Sequence, residues 1–166
     1  MATTGHERAP RAGLMGTRVE FALETTSGAR RATRELHGRH VLVVLEGPEA
    51  TGQNDAMKAR LRTLAVAHPG LAARLALVPV ACLGVAGTGF TASIARAVVT
   101  SQATTLGHEI WLDPEDRVAE SLGLDPRRSN VIVLDARGVV CWGWAGPLTP
   151  AALEALLALL GVAVGV

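Results

Sequence analysis

In His40-Val41-Leu42-Val43-Val44-Leu45 an uninterrupted aliphatic run follows His40, and Glu46 and Gly47-Pro48 close it. A run of this kind, rich in β-branched residues and without polar alternation, predicts a strand covered on both faces. Beyond Gly52, the residues Met57, Leu61 and Leu64 recur at spacings of four and three, which predicts a helix that His68-Pro69-Gly70 stops. Leu75 to Leu83 reads as a second buried strand. Pro79 within it lacks a ladder donor, so the strand is expected near a sheet edge or a bulge. These segments make one strand, helix, strand unit, and the rest of the chain is read outward from it.

Toward the N-terminus, Val19, Phe21 and Leu23 alternate with Glu20, Ala22 and Glu24 before the turn Thr26-Ser27-Gly28, predicting a first strand or hairpin. Residues 1–16 show no period and are expected to be a flexible segment, with the domain running from 17 to 166. Toward the C-terminus, a glycine-rich loop (Gly84 to Gly89) precedes a helix from Phe90 to about Ser101. Ile110 to Leu112 is a short strand, Glu115 to Leu122 a helix ended by Gly123, and Asn130 to Leu134 an apolar strand. The turn Asp135 to Gly138 sends Val139 to Ala145 back antiparallel. Thr149-Pro150 then caps a final helix carrying Leu153, Leu156, Leu157 and Leu160. This order specifies a single α/β domain with a central mixed β-sheet flanked by helices on both faces.

Composition narrows the function classes. The 166 residues are 49% hydrophobic and 3% aromatic, so the core is aliphatic. A formal net charge of +1 supplies no field toward nucleic acid, and no basic recognition helix is visible. Arginine dominates the cations, Lys58 being the only lysine, a bias that a GC-rich genome accounts for. The most apolar stretch, Ala151 to Val166, contains Glu154 and is too short for a membrane span, so no membrane insertion is expected. Without an apolar run of signal-peptide length near Met1, the expected location is the cytoplasm.

Phe21-Ala22-Leu23 with Gly28, Leu36 to Val44, and Val131-Ile132-Val133-Leu134-Asp135 with Gly138 together resemble the thioredoxin-like fold in its redoxin and peroxiredoxin variants. Within it, Ala86-Gly87-Thr88-Gly89-Phe90 followed by Ser93-Ile94, and Ser129 to Asp135 running to Gly146-Pro147-Leu148-Thr149-Pro150, are most similar to the bacterial, uncharacterised YtfJ-type proteins. The resemblance implies a redox cysteine motif where the first long strand meets its helix, and a cis-proline opposite it. That junction here reads Gly47-Pro48-Glu49-Ala50-Thr51-Gly52-Gln53-Asn54, with no cysteine, and Ser129 stands at the proline position. The resemblance implies a degenerate active site, in a group whose members are typically periplasmic.

Other constellations are weaker. Gly47 to Gly52 has phosphate-loop spacing, but Gln53 and Asn54 replace the Lys and Ser/Thr that would bind phosphate and magnesium. Gly84, Gly87 and Gly89 run GxxGxG, the wrong order for a dinucleotide fold. The five histidines lack ligand spacing, so neither a cofactor nor a metal is expected. Trp142 and Trp144 share one strand face and are read as packing residues. Cys82 and Cys141, each with apolar neighbours, are expected to be buried structural residues.

The main expectation is therefore a non-catalytic module that binds a protein or peptide at a surface formed by Glu49, Thr51, Gln53, Asn54, Ser129 and Asn130. The alternative is a thiol peroxidase or thiol-disulfide oxidoreductase using Cys82, Cys141 or both. The apolar tail Gly161 to Val166 adds a third expectation, association of copies of the chain or packing on its own domain.

Overall fold

The computed structural model describes residues 13–84 and 92–161, the side chains of 105 and 106 excepted. The glycine-rich loop beyond Gly84, the Ala86 to Phe90 motif and residues 162–166 of the apolar tail lie outside the described residues, as do residues 1–12.

The elements run β1 (Ala22–Thr25), β2 (Arg30–Ala32), a 3-10 turn (Thr33–Leu36), β3 (His40–Glu46), α1 (Asp55–Ala67), α2 (Gly70–Arg74), β4 (Leu75–Cys82), α3 (Ala92–Leu106), β5 (Trp111–Asp113), α4 (Arg117–Ser121), β6 (Asn130–Leu134), β7 (Val140–Ala145) and α5 (Pro150–Leu159).

 The seven strands form one mixed sheet in the order β2-β1-β5-β4-β3-β6-β7. β3 pairs parallel with β4 and antiparallel with β6, so the aliphatic run quoted first is an inner strand, with Val41 to Leu45 all buried.

Because side chains alternate across a strand, the two faces of β3 feed different cores. Val41, Val43 and Leu45 join Val78, Val80, Ile132 and Leu134 under Val118 and Ala119 of α4. Leu42 and Val44 join Val131 and Val133 under Met57, Leu61 and Leu64 of α1 and Leu156 and Leu157 of α5, the helix spanning Pro150–Leu159. α3 packs through Val99 and Ala103 on Leu112, on the same side as α1. Thr149 caps α5 as its sequence predicts, its Oγ1 accepting the Ala152 N–H at 3.2 Å ahead of Pro150 in the first turn.

Three expectations need correction. β4 is central rather than near an edge: β5 begins opposite Val80, so at Pro79 the strand has only β3 beside it, and this local edge accommodates a residue without an N–H. The chain docks before residue 17, since Leu14 is buried in the core and the Gly16 N–H donates to the Val140 carbonyl at 2.9 Å. Cys141 is only half-buried, because it sits at a register shift on β7, the last strand of the sheet.

Candidate functional site

The junction between β3, α1 and β6 is where the sequence places its site. Leu45 pairs with Asn130, so Glu46, the last residue of β3, comes opposite Ser129. The chain then passes close to the loop before β6. The Gly47 N–H donates to the Pro126 carbonyl at 2.8 Å, and a Cβ at Gly47 would lie 2.7 Å from that oxygen, so only glycine fits.

Successive turns follow, with the Ala50 N–H on the Gly47 carbonyl and the Gln53 N–H on the Ala50 carbonyl, both at 3.0 Å. Gly52 takes a φ of +99°, which postpones the regular helix to Asp55. Ala50 to Gln53 therefore precede the first turn of α1 instead of forming it. A side chain at Ala50 does not occupy the helix N-terminus, the setting that lowers a thiol pKa.

In place of sulfur, the junction holds a buried polar network. The Ser129 hydroxyl donates to Glu46 Oε1 at 2.6 Å and accepts from Asn54 Nδ2 at 2.8 Å. Asn54 Nδ2 also donates to the Gly146 carbonyl at 3.0 Å, and Asn54 Oδ1 accepts the Leu148 N–H at 2.7 Å. Gln53 Oε1 accepts the Ser129 backbone N–H at 3.0 Å, a donor that proline would lack. Lys58 Nζ lies 2.7 Å from Glu46 Oε2 and neutralises the partly buried carboxylate. Asn130 Nδ2 pins the preceding loop through the carbonyls of Asp125 and Arg128 at 2.8 and 2.9 Å.

The six residues expected to form one binding surface thus divide. Glu49 and Thr51 are exposed and Gln53 is half-buried, whereas Asn54, Ser129 and Asn130 are buried and spend their polar atoms inside the fold. Glu46 and Lys58 were not singled out in the sequence. The signal available was an acid closing an aliphatic strand and the chain's single lysine placed just inside the next helix.

Cys82 ends β4 and lines a recess of about 270 Å³ with Pro48, Glu49, Gly84, Asp116 and Arg127. Its side chain is buried, and burial pushes its thiol well above the usual cysteine range, with the carboxylates of Asp113, Asp116 and Glu46 pushing it further. That is the reverse of the electropositive setting of a reactive thiolate. Asp113 itself is buried and raised by desolvation, although its Oδ2 accepts the Val118 and Ala119 N–H groups at 2.9 and 3.3 Å. Its Oδ1 has no hydrogen-bond partner among the described residues.

Cys82 and Cys141 are both free. Their strands stand three places apart in the sheet, roughly 14 Å at the usual strand spacing, and the two residues pack into cores on opposite faces. The pair is out of disulfide range. Burial, and then Asp135, also raise the Cys141 thiol. Trp142 packs into the core under α1 and α5, and the Trp144 indole N–H donates to the Pro147 carbonyl at 3.1 Å. Among the described residues, no helix is long and apolar enough to cross a membrane.

No protein-family model matches the chain, and no curated protein sequence matches it. Solved structures do. Peroxidoxin BcpB from Mycobacterium tuberculosis is 17% identical over 91% of this chain and 98% of its own, with a TM-score of 0.61. A thiol-disulfide oxidoreductase from Bacteroides fragilis is 17% identical over 87% and 98%, with a TM-score of 0.62. A DsbF homologue from Corynebacterium diphtheriae is 16% identical over 95% and 96%, with a TM-score of 0.60. The likeness is one of fold, and the fold is thioredoxin-like.

Proposed function

We propose that this chain is a thioredoxin-like accessory module that recognises a protein or peptide without thiol exchange. The observation that supports this reading above others is the network of Glu46, Gln53, Asn54, Lys58 and Ser129, which fills the junction with satisfied hydrogen bonds. A paired buried network stabilises and specifies a packing arrangement. Recognition falls to what remains accessible beside it: Glu49 and Thr51 on the turn, and Arg127 at the mouth of the recess. Kinship with the YtfJ-type proteins, a bacterial source, a cytoplasmic location and self-association through the apolar tail belong to the same proposal.

The second reading is a thiol peroxidase or thiol-disulfide oxidoreductase. What favours it is the kind of protein that shares the fold, a peroxidoxin and thiol-disulfide oxidoreductases, together with the place of Cys82 beside the junction. It requires Cys82 to ionise against burial and the three carboxylates that oppose it, or Cys141 against burial and Asp135.

Two measurements separate the readings. Purified native protein is assayed for peroxide consumption with a thiol donor and for insulin reduction. The accessory reading expects no turnover above that of a Cys82→Ser, Cys141→Ser variant, and turnover lost on Cys82→Ser would establish the second. In parallel, a partner captured by the native chain is expected to be lost from Glu49→Arg and Thr51→Arg variants of unchanged thermal stability. Capture indifferent to both substitutions would end the proposal for this surface.

A further inference from the structure

Six large hydrophobic side chains are exposed among the described residues; one of them, Leu77, lines a groove between α1 and α3, and three more lie at helical spacing from residues of its walls. Its floor is β4, where Leu77 is 46% exposed although the strand is central in the sheet. One wall is the α1 stripe of Asp55, Ala59 and Arg62, which Val66 (84% exposed) continues at helical spacing. The other wall is α3, where Ile94 and Val98 (61% and 54% exposed) lie on the stripe of Gln102. The groove encloses about 610 Å³, within the range of small-molecule clefts. Isolated exposed aliphatics are ordinary, but exposed aliphatics in and beside a concavity mark a binding surface.

The chemistry of the walls selects the occupant. Val44, Leu77, Pro79, Val80 and Ile110 are aliphatic, and no Phe, Tyr or Trp lines the groove, its aromatic ring being the His108 imidazole, so the apolar part of its complement is an alkyl chain. Of the charged groups facing it, Glu46 and Asp55 lie 2.7 and 3.6 Å from the same Lys58 ammonium. Arg62, one turn along α1 from Lys58, has no carboxylate partner among the described residues. The uncommitted charge is therefore a guanidinium, a fork that matches a carboxylate.

The geometry points to a binding site for a free aliphatic carboxylic acid, its chain along Leu77, Pro79 and Ile110 and its carboxylate on Arg62. The proposal stands without the accessory reading of the junction, although the upper end of the groove reaches Thr51 and the Glu46–Lys58 pair.

Isothermal titration of the full chain with sodium decanoate, below the concentration at which it forms micelles, tests this. The expected result is saturable one-to-one binding, weakened about tenfold or more by Arg62→Ala, since hydrogen bonds to charged groups are the strong ones. Decanol, which has the chain without the charge, is expected to bind at least about tenfold more weakly than decanoate. Ala59→Trp, which fills the groove from an exposed helix position, is expected to abolish binding with an unchanged circular dichroism spectrum. Absence of saturable binding, equal affinity for decanol, or binding indifferent to Ala59→Trp would overturn the proposal. It would equally fall if the chain bound only decanoate-doped phospholipid vesicles, or if sedimentation revealed a dimer that Ala59→Trp dissolves, which would give the groove to a second copy.

Discussion

Ser129→Pro places at the start of β6 the residue type that the sequence resemblance implies there, and the network dictates what this does. Proline removes the N–H that donates to Gln53 Oε1 at 3.0 Å, and the hydroxyl that donates to Glu46 at 2.6 Å and accepts from Asn54 at 2.8 Å. The bond to the carboxylate contributes about 1.5–3 kcal/mol and each neutral bond about 1 kcal/mol, so the expected loss is roughly 4 kcal/mol. For a domain of this size that corresponds to a melting temperature lower by roughly 8–16 °C. Ser129→Ala keeps the backbone donor and is expected to lose only about 3 kcal/mol, the difference reporting the Gln53 contact. Urea unfolding followed by tryptophan fluorescence gives both values, read as a shift of midpoint at constant slope. If Ser129→Pro unfolds within about 0.5 kcal/mol of the parent, a shift typical of neutral surface changes, the network does not hold the junction and the reasoning fails.

Other consequences follow from the same contacts. Asn54→Ala is expected to cost about 2–4 kcal/mol by orphaning the Leu148 N–H, and a double-mutant cycle with Ser129→Ala should show coupling near 1 kcal/mol, whereas additivity within about 0.5 kcal/mol would deny the direct bond. Gly47→Ala forces a Cβ against the Pro126 carbonyl and should destabilise by about 1–3 kcal/mol in the same urea assay, and a neutral result would refute the close approach. Asp113 has a folded pKa raised by burial, so it binds its proton more tightly folded than unfolded. Its contribution is fully present below the unfolded value of about 3.9 and declines as pH rises through the folded pKa. Asp113→Asn should therefore gain on the parent as pH rises from 4 toward 7, read from urea midpoints measured across that range, and a pH-independent difference would contradict this.

The sequence carried the architecture because each inner element is written locally. The aliphatic run Val41 to Leu45 and the recurrence of Met57, Leu61 and Leu64 are direct imprints of burial, and the structure buries those residues. Thr149-Pro150 announced its helix in the same way. What failed was non-local. The sequence at Pro79 speaks of a missing donor, but whether a neighbour needs that donor depends on where β5 begins, some thirty residues later in the chain. The site was half legible for the same reason. The absence of cysteine from Gly47 to Asn54 is plain in the letters, yet that Asn54 and Ser129 point inward at one another, with Glu46 and Lys58 completing the network, emerges only when β3 and β6 pair. Sequence separation likewise hid the carboxylates of Asp113 and Asp116 beside Cys82.

The central claim is that no activated sulfur serves this thioredoxin-like site, and the state of Cys82 tests it most directly. Native protein is exposed to hydrogen peroxide or iodoacetamide at neutral pH, and modification of Cys82 and Cys141 is followed by peptide mass spectrometry, with urea-unfolded protein as reference. Cys141, the less buried thiol, should be modified first, and Cys82 should stay unmodified until the chain unfolds. Modification of native Cys82 ahead of Cys141 would mean that the recess beside Glu49 and Arg127 houses a working thiolate, and the account would be wrong.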